Sequence, residues 1–320
     1  MQSRPLFEES QFFLRSITQS FHLVNTARAA IIHLGDSVQK IIDAGLDDRV
    51  IGALYPTPEG TTGQNLRVLT SRDFDDTEKE LAHMWLAATF AHYESWAQGV
   101  EARTGIHGFE KAVQFPKEYA SRLCSLPRSK HLSAAYAGHV IRDKLCLGSR
   151  QRITHALSLY RYYKEIRNCT MHSGGLASSR LQDAATEAVI PHSSLVARAG
   201  WRGQPISLIS EGEQVSVDLP LVRDAIALLQ RLVFSIDGML MISTHGEDEV
   251  DRRWTSEYGT SPVRVERAPS APWLADRVGK RLDMPNPVDP ASRGGTLWPR
   301  VQREEYVQFL EARGLLRIAR

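Results

Sequence analysis

Residues Ser149 to Gly175 read "SRQRITHALSLYRYYKEIRNCTMHSGG". Apolar residues recur at helical spacing and two glycines follow, so the stretch predicts a long α-helix that ends before Gly174 and Gly175. On an ideal helix Arg167 falls on the apolar face, which is formed by Ile153, Ala156, Leu157, Tyr160 and Met171. Because an unpaired guanidinium in an apolar seam is costly, Arg167 must meet an anion, a carboxylate or a wet cleft.

Other helical segments surround this one in the sequence. "DFDDTEKELAHMWLAATFAHYESWAQGVEAR" (73–103) has acidic residues in its first turn and predicts a long helix, as does the apolar "LPLVRDAIALLQRLVFSIDGMLMI" (219–242). Residues 129–147 predict a shorter one. The first of these helices carries an apolar stripe of Leu81, Met84, Trp85, Ala88, His92, Ser95 and Trp96. The pattern predicts a mainly all-α fold, a helical bundle over residues 73–245.

The regions outside this bundle have a different character. Residues 1–72 predict a helical extension with a break at Gly35, followed by a turn-rich loop at 52–66. Within the bundle, alternating residues in "QPISLISEGEQVSVDLP" (204–220) predict a small β-hairpin insertion. Seven prolines between Pro262 and Pro299 predict a linker or a meandering surface segment within residues 246–320, which close with a short helix over 301–313.

Composition limits the classes of function. The chain has 320 residues, 42% of them hydrophobic, and a formal net charge of +2, so any basic surface for nucleic acid must be local. Three cysteines without paired spacing indicate a reducing compartment. No apolar core of a signal peptide and no membrane span is present in the sequence, which predicts a cytoplasmic protein without a membrane partner.

Two explanations of Arg167 compete at this level. One is an ion pair with Glu94 or Glu101, and the other is a bound anion. Spacing alone cannot decide, because "RAAIIH" (28–33) and "RQRITH" (150–155) also place four residues between Arg and His. Only "EIRNCTMHSGG" (165–175) adds an asparagine after the arginine, a Ser-Gly-Gly after the histidine and a position at the end of a long helix.

This third copy resembles the signature of HEPN domains (higher eukaryotes and prokaryotes nucleotide-binding), in which an Arg and a following polar residue precede a His. The resemblance covers roughly residues 73–245, including the "FAHYESW" opening helix (90–96) and the closing apolar helix. It implies an α-helical bundle, a homodimer that joins two motifs in one cleft, and a metal-independent ribonuclease of toxin or antiviral defence systems. An antitoxin or sensor protein is then an expected partner, and abortive infection an expected context.

The residue types fit that chemistry without the family name. RNA supplies its own nucleophile, the 2′-hydroxyl, so cleavage needs a proton-transfer group and a cation that holds the phosphate. Histidine suits the first task, which makes His172 the candidate base or acid, and the planar fork of Arg167 suits phosphate. Asn168 would orient His172 or bind phosphate. The resemblance implies Glu94 as a further catalytic candidate, since the family often has an acidic residue on the opening helix, with a solvated carboxylate or an ion-pair partner as its alternative role.

Basic residues concentrate around the motif. Eight Lys and Arg residues against two acidic residues lie between Arg142 and Arg180, a local formal charge of +6. We expect Lys164, Arg161 and Arg152 to bind RNA there, although such enrichment also occurs on solvated helix faces. Three tyrosines are candidates for base stacking or for the core: Tyr160, Tyr162 and Tyr163.

Other chemistries lack a motif. The sequence has no His-Glu-x-x-His, no Gly-x-Ser-x-Gly, no Walker loop and no dinucleotide fingerprint, so no metal and no cofactor is predicted. The predicted function is a metal-independent endoribonuclease that acts on RNA by 2′-hydroxyl attack. The alternative is a catalytically silent HEPN module for dimerisation, nucleotide binding or partner binding.

Overall fold

The computed structural model describes residues 5–55, 74–142, 146–286 and 298–319, and α-helices predominate in them. The mainly all-α prediction is therefore confirmed. The first half of the chain contains α1 (Glu8–Asp43), α2 (Asp48–Leu54), α3 (Phe74–Thr104), α4 (Phe109–Ala112), α5 (Pro116–Arg122) and α6 (Lys130–Arg142). The second half contains α7 (Arg150–His172), α8 (Ser179–Ala199), α9 (Leu219–Met241), α10 (Thr244–Tyr258), α11 (Ala271–Leu274), a π-helix (Ala275–Arg281) and α12 (Arg300–Ala312).

Helix α7 has the bounds that its sequence predicts. Ser149 caps its N-terminus by accepting a hydrogen bond from the Arg152 amide at 3.3 Å. At the other end, Gly174 and Gly175 adopt left-handed backbone angles, with φ of 61° and 81°. The Gly175 amide donates to the Cys169 carbonyl at 3.1 Å and so satisfies one of the last carbonyls of the helix. The glycine stop is therefore confirmed.

Helix α7 is central and contacts α3, α5, α8 and α9. Its buried side chains accordingly occupy more than one face. Helix α9 is the most apolar and supplies much of the core. Helix α3 contributes Trp85 and Trp96 as its stripe predicts, but Met84 is 70% exposed. That part of the stripe was wrong because the buried face is shifted toward Leu86, Phe90 and Tyr93.

Helix α8 and the segment after it correct the hairpin prediction. The six residues between α7 and α8 fold α8 back along α7, and Arg161 of α7 pairs with Glu187 of α8. Residues 204–217 form no β-ladder, so the hairpin prediction was wrong. Their alternation still buries Val215 and Val217, but their partner is the loop after α7, through a single bridge between Leu176 and Gln214.

The N-terminal helix α1 is continuous through Gly35, contrary to the predicted break. One glycine costs only about 1 kcal/mol in a helix, which packing against α3 can offset. The start of α1 is fixed by Asp237 of α9, whose carboxylate accepts hydrogen bonds from the Leu6 and Phe7 amides at 2.7 and 3.0 Å. The predicted loop at 52–66 lies mostly outside the described residues.

The C-terminal segment packs on the bundle. Helix α10 runs across the predicted boundary at residue 245, and α12 packs against α6. Strands β1 (Val263–Val265) and β2 (Leu316–Ile318) pair in parallel, the only strands in the described ranges. The predicted final helix over 301–313 is confirmed by α12. The prolines of residues 287–297 lie outside the described residues.

Candidate functional site

An open cleft of about 440 Å³ lies where α7 ends and α8 begins. Both helices and the loop between them contribute to it. Its lining residues are Glu165, Asn168, Cys169, His172, Ser173, Ser178, Ser179 and Arg180. Two predicted site residues, Asn168 and His172, therefore share one surface, as their four-residue spacing indicates.

The backbone of the α7–α8 loop is fixed by hydrogen bonds to residues 212–215. The Ala177 amide donates to the Glu213 carbonyl and the Val215 amide donates to the Gly175 carbonyl, both at 2.8 Å. Ser178 caps α8 by accepting from the Leu181 amide at 3.3 Å. The positive end of the α8 dipole thus lies at the cleft, which favours a negatively charged ligand there.

Asn168 connects the cleft to Arg167. Its side-chain amide donates to Oε2 of Glu165 at 3.4 Å, and its Oδ1 accepts from Nη1 of Arg167 at 3.2 Å. His172 is exposed to solvent at the end of the helix. Among the described residues, no hydrogen bond or ion pair joins Arg167 to His172. The chain therefore brings Asn168 and His172 into the cleft, and Arg167 contacts Asn168.

Arg167 is partly buried, and its guanidinium is poorly satisfied. Nε is buried without a hydrogen-bond partner, and Arg167 forms no ion pair within the part of the chain that the structure describes. Glu94 instead pairs with Lys164 at 3.2 Å. Glu101 accepts from the Gly108 and Glu110 amides, both at 3.0 Å, and these contacts lower the pKa of its carboxyl. Neither Glu94 nor Glu101, the two ion-pair partners that the sequence analysis considered, therefore pairs with Arg167.

The other surroundings of Arg167 lie toward α3. Tyr160 is fully buried against Phe90 and Tyr93, and its hydroxyl has no partner among the described groups. Burial raises the pKa of Tyr160 well above 10, the charges of Glu94 and Glu110 raise it further, and Arg167 opposes them. Met171, predicted on the same face as Arg167, is 50% exposed, because the helix end extends beyond the core.

The predicted RNA-binding residues are partly engaged by protein groups. Lys164 contacts Glu94 and also donates to Oε1 of Gln114 at 2.8 Å. Arg161 pairs with Glu187 at 2.7 Å, and Arg152 donates to the Leu147 carbonyl at 3.3 Å. Of the basic cluster, the Arg142 side chain and residues 143–145 lie outside the described part of the chain.

The three tyrosines of α7 belong to the core. Tyr160, Tyr162 and Tyr163 are buried, and burial raises the pKa of each. These rings therefore pack in the core and do not stack on bases, because the neighbouring helices α3, α5, α8 and α9 contact α7.

Several residues that line the cleft were not predicted as site residues. Glu165, Ser178 and Ser179 were not singled out, and Arg180 was counted only as a member of the basic cluster. The signal for Ser178, Ser179 and Arg180 was the helix α8, whereas Glu165 lies on α7, two turns before His172. Leu181, Ala184, Ala185 and Ala188 follow Ser178 at helical spacing, and Ser178 is a favoured N-cap residue. Pro191 obscured that signal, because proline inside a helix is uncommon.

Comparisons with protein-family models, with curated proteins and with solved structures returned no match. Among the described residues, no group of three or more His, Cys, Asp or Glu side chains is placed to hold a metal ion. Within the same residues, no helix is both long and apolar enough to cross a lipid bilayer.

Proposed function

We propose that this protein is a metal-independent endoribonuclease of HEPN type that cleaves RNA at the cleft containing His172. The observation that carries the proposal is the state of Arg167, a partly buried arginine with a buried, unpartnered Nε and no ion pair among the described residues. A phosphate is the kind of partner that a planar guanidinium fork binds best.

The other groups of the cleft have roles consistent with phosphoryl chemistry. His172 is exposed where it can exchange a proton with substrate, and Asn168 lies between it and Arg167. Arg180 and the N-terminus of α8 add positive potential for the phosphate. Because the attacking 2′-hydroxyl belongs to the RNA, these groups need only transfer protons and stabilise charge.

A homodimer is part of the proposal. A second copy of the motif would complete phosphate binding, since Arg167 of one protomer does not line its own cleft. The resemblance also supports a role as a toxin or antiphage effector, controlled by an antitoxin or sensor protein and acting in the cytoplasm.

The second candidate is a catalytically silent module for dimerisation, nucleotide binding or partner binding. The observation that favours it is the engagement of the basic side chains. Glu94 and Gln114 hold Lys164, and Glu187 holds Arg161. RNA would have to compete with these contacts, although such partly exposed ion pairs are each worth only about 0–1 kcal/mol.

The decisive experiment measures RNA cleavage in the presence of a chelator. We expect 2′,3′-cyclic phosphate ends, and a loss of about 10²-fold or more in His172→Ala and Arg167→Ala, the scale of a lost proton-transfer or electrostatic group. His33→Ala and His155→Ala are matched controls, because each histidine also follows an arginine by five positions. Both controls should cleave nearly as well as the wild type.

Two outcomes would contradict the proposal: motif variants that cleave like the wild type, or cleavage that depends wholly on an added divalent metal. If the purified wild type is silent, growth of infected cells that express wild type or His172→Ala decides between the candidates. Equal growth would favour the silent module.

A further inference from the structure

Glu165 and His172 line the same cleft, although only His172 belongs to the motif. They lie seven residues apart on α7, so two helical turns place them on one face. The rise between their backbones is about 10.5 Å, and both side chains lean toward the N-terminus of the helix, so they stay about two turns apart along it. The cleft that both side chains line has a volume of about 440 Å³.

Within the described structure, one oxygen of the Glu165 carboxylate accepts a hydrogen bond from the protein and the other does not. Its Oε2 accepts from the side-chain amide of Asn168 at 3.4 Å. Its Oε1 has no hydrogen-bond partner, and neither oxygen forms an ion pair, among the groups that the structure describes. A free oxygen that faces a cleft is available to accept a proton from a ligand.

We propose that Glu165 is the general base and His172 the general acid of a single-protomer site, an inference that rests on the proposed ribonuclease function. The Glu165 carboxylate takes the proton of the 2′-hydroxyl, whose oxygen attacks phosphorus while the bond from phosphorus to the 5′-oxygen breaks. Protonated His172 gives its proton to that leaving oxygen. The products are a 2′,3′-cyclic phosphate and a 5′-hydroxyl, and solvent exchange restores both side chains.

The assignment of roles follows from charge. A carboxylate is ordinarily ionised near neutral pH and ready to accept a proton, whereas histidine is the side chain that most readily supplies one there. Glu165 opposes the anionic substrate, but Arg180, the α8 N-terminus and the Asn168 amide lie in the same cleft and offset that repulsion. A second protomer is then unnecessary for proton transfer, although it can still serve phosphate binding.

The test compares Glu165→Gln with His172→Ala on two RNA substrates. One is an oligonucleotide that the wild type cleaves at a mapped linkage, and the other has sulfur in place of the bridging 5′-oxygen at that linkage. A thiolate leaves without a proton, so loss of the acid should matter little on the second substrate, whereas loss of the base should matter on both.

We expect Glu165→Gln to cleave about 10²-fold more slowly than the wild type on both substrates. His172→Ala should show a loss of about 10²-fold on the oxygen substrate that shrinks to within about fivefold on the sulfur substrate. Glu118→Gln is the matched control, since Glu118 is a partly exposed helical glutamate whose salt-bridge partner is Arg122. Circular dichroism checks that each variant is folded.

Cleavage by Glu165→Gln within about threefold of wild type on oxygen RNA would overturn the inference, and a concurrent loss in His172→Ala would leave the proposed function standing. Rescue of Glu165→Gln by sulfur would likewise overturn the assignment of the base. If the wild type produces no 2′,3′-cyclic ends, either purified or in infected cells, the ribonuclease function fails and the inference fails with it.

Discussion

The side chains of Arg253 in α10 and Arg167 in α7 both extend from a helix into the protein, yet their surroundings differ completely. Arg253 is 7% exposed and every arm of its guanidinium has a partner. Nε donates to Glu249 at 2.6 Å, Nη1 donates to the Leu282 and Asp283 carbonyls at 3.0 and 3.1 Å, and Nη2 donates to the Leu6 carbonyl. Among the described residues, the Arg167 guanidinium has one hydrogen bond, to Asn168.

The difference separates an arginine with a structural role from one whose surroundings fit the proposed anion site. Arg253 connects the N-terminal segment, α10 and the C-terminal segment, so its contacts explain its burial without any ligand. Arg167 connects nothing distant in sequence, and its buried Nε remains unpartnered in the described structure. A buried polar group without a partner costs free energy, which is the cost expected at a site that a ligand completes.

The largest expected effect is on stability at the structural arginine. Arg253→Met removes one of the three arginines that pair with the Glu249 carboxylate and takes a donor away from three backbone carbonyls. We expect the free energy of unfolding to fall by about 3–5 kcal/mol, the scale of a broken buried ion pair. Urea denaturation followed by tryptophan fluorescence measures the change, and a loss below about 1 kcal/mol would contradict the structural role.

A pH dependence should mark the same buried region. Burial raises the pKa of Asp237 from 3.8 to about 6, although the Leu6 and Phe7 amides and the nearby Arg253 oppose the rise. Because the folded state holds this proton more tightly than the unfolded state, the stability present below pH 3.8 is lost as pH rises through about 6. At about 1.36 kcal/mol per pH unit, the loss is about 3 kcal/mol.

The variant Asp237→Asn isolates that contribution. The difference in the free energy of unfolding between the variant and the wild type should shift in favour of the variant by about 2 kcal/mol between pH 4 and pH 7. Comparing the two proteins at each pH cancels the titration of all other groups. A difference that stays constant across this range would show that the carboxyl of Asp237 keeps its ordinary affinity for protons.

The sequence predicts the fold where one helix face dominates the pattern. The end of α7 follows from Gly174 and Gly175, and the bounds of α12 follow from apolar spacing and Gly314. Helix α8 was missed because Pro191 interrupts its pattern. The hairpin was wrong because alternation reports that one side is buried and does not identify the partner, which is here the loop after α7.

The candidate cleft, like the fold, was predicted only in part, because helical spacing identifies a shared face but not its partner. Helical spacing places Asn168 and His172 on one face, and the cleft confirms that placement. Spacing cannot say which neighbouring helix each face meets, so the pairing of Glu94 with Lys164 rather than Arg167 could not be read from it. Arg180 becomes a neighbour of His172 only because the loop after α7 folds α8 back, whereas Glu165 lies two turns before His172 on α7 itself.

The smallest expected effect on stability is at Arg167, with the same substitution that disrupts Arg253. Arg167→Met removes one side-chain hydrogen bond at 3.2 Å and also removes a buried, unpartnered Nε. These contributions have opposite signs, so we expect the free energy of unfolding to change by less than about 1 kcal/mol, while RNA cleavage falls about 10²-fold. Urea denaturation and the cleavage assay are run on one preparation, with Arg253→Met beside it. A loss of stability at Arg167 as large as that at Arg253 would mean that Arg167 is structural, and the contrast between the two arginines would no longer support an anion site.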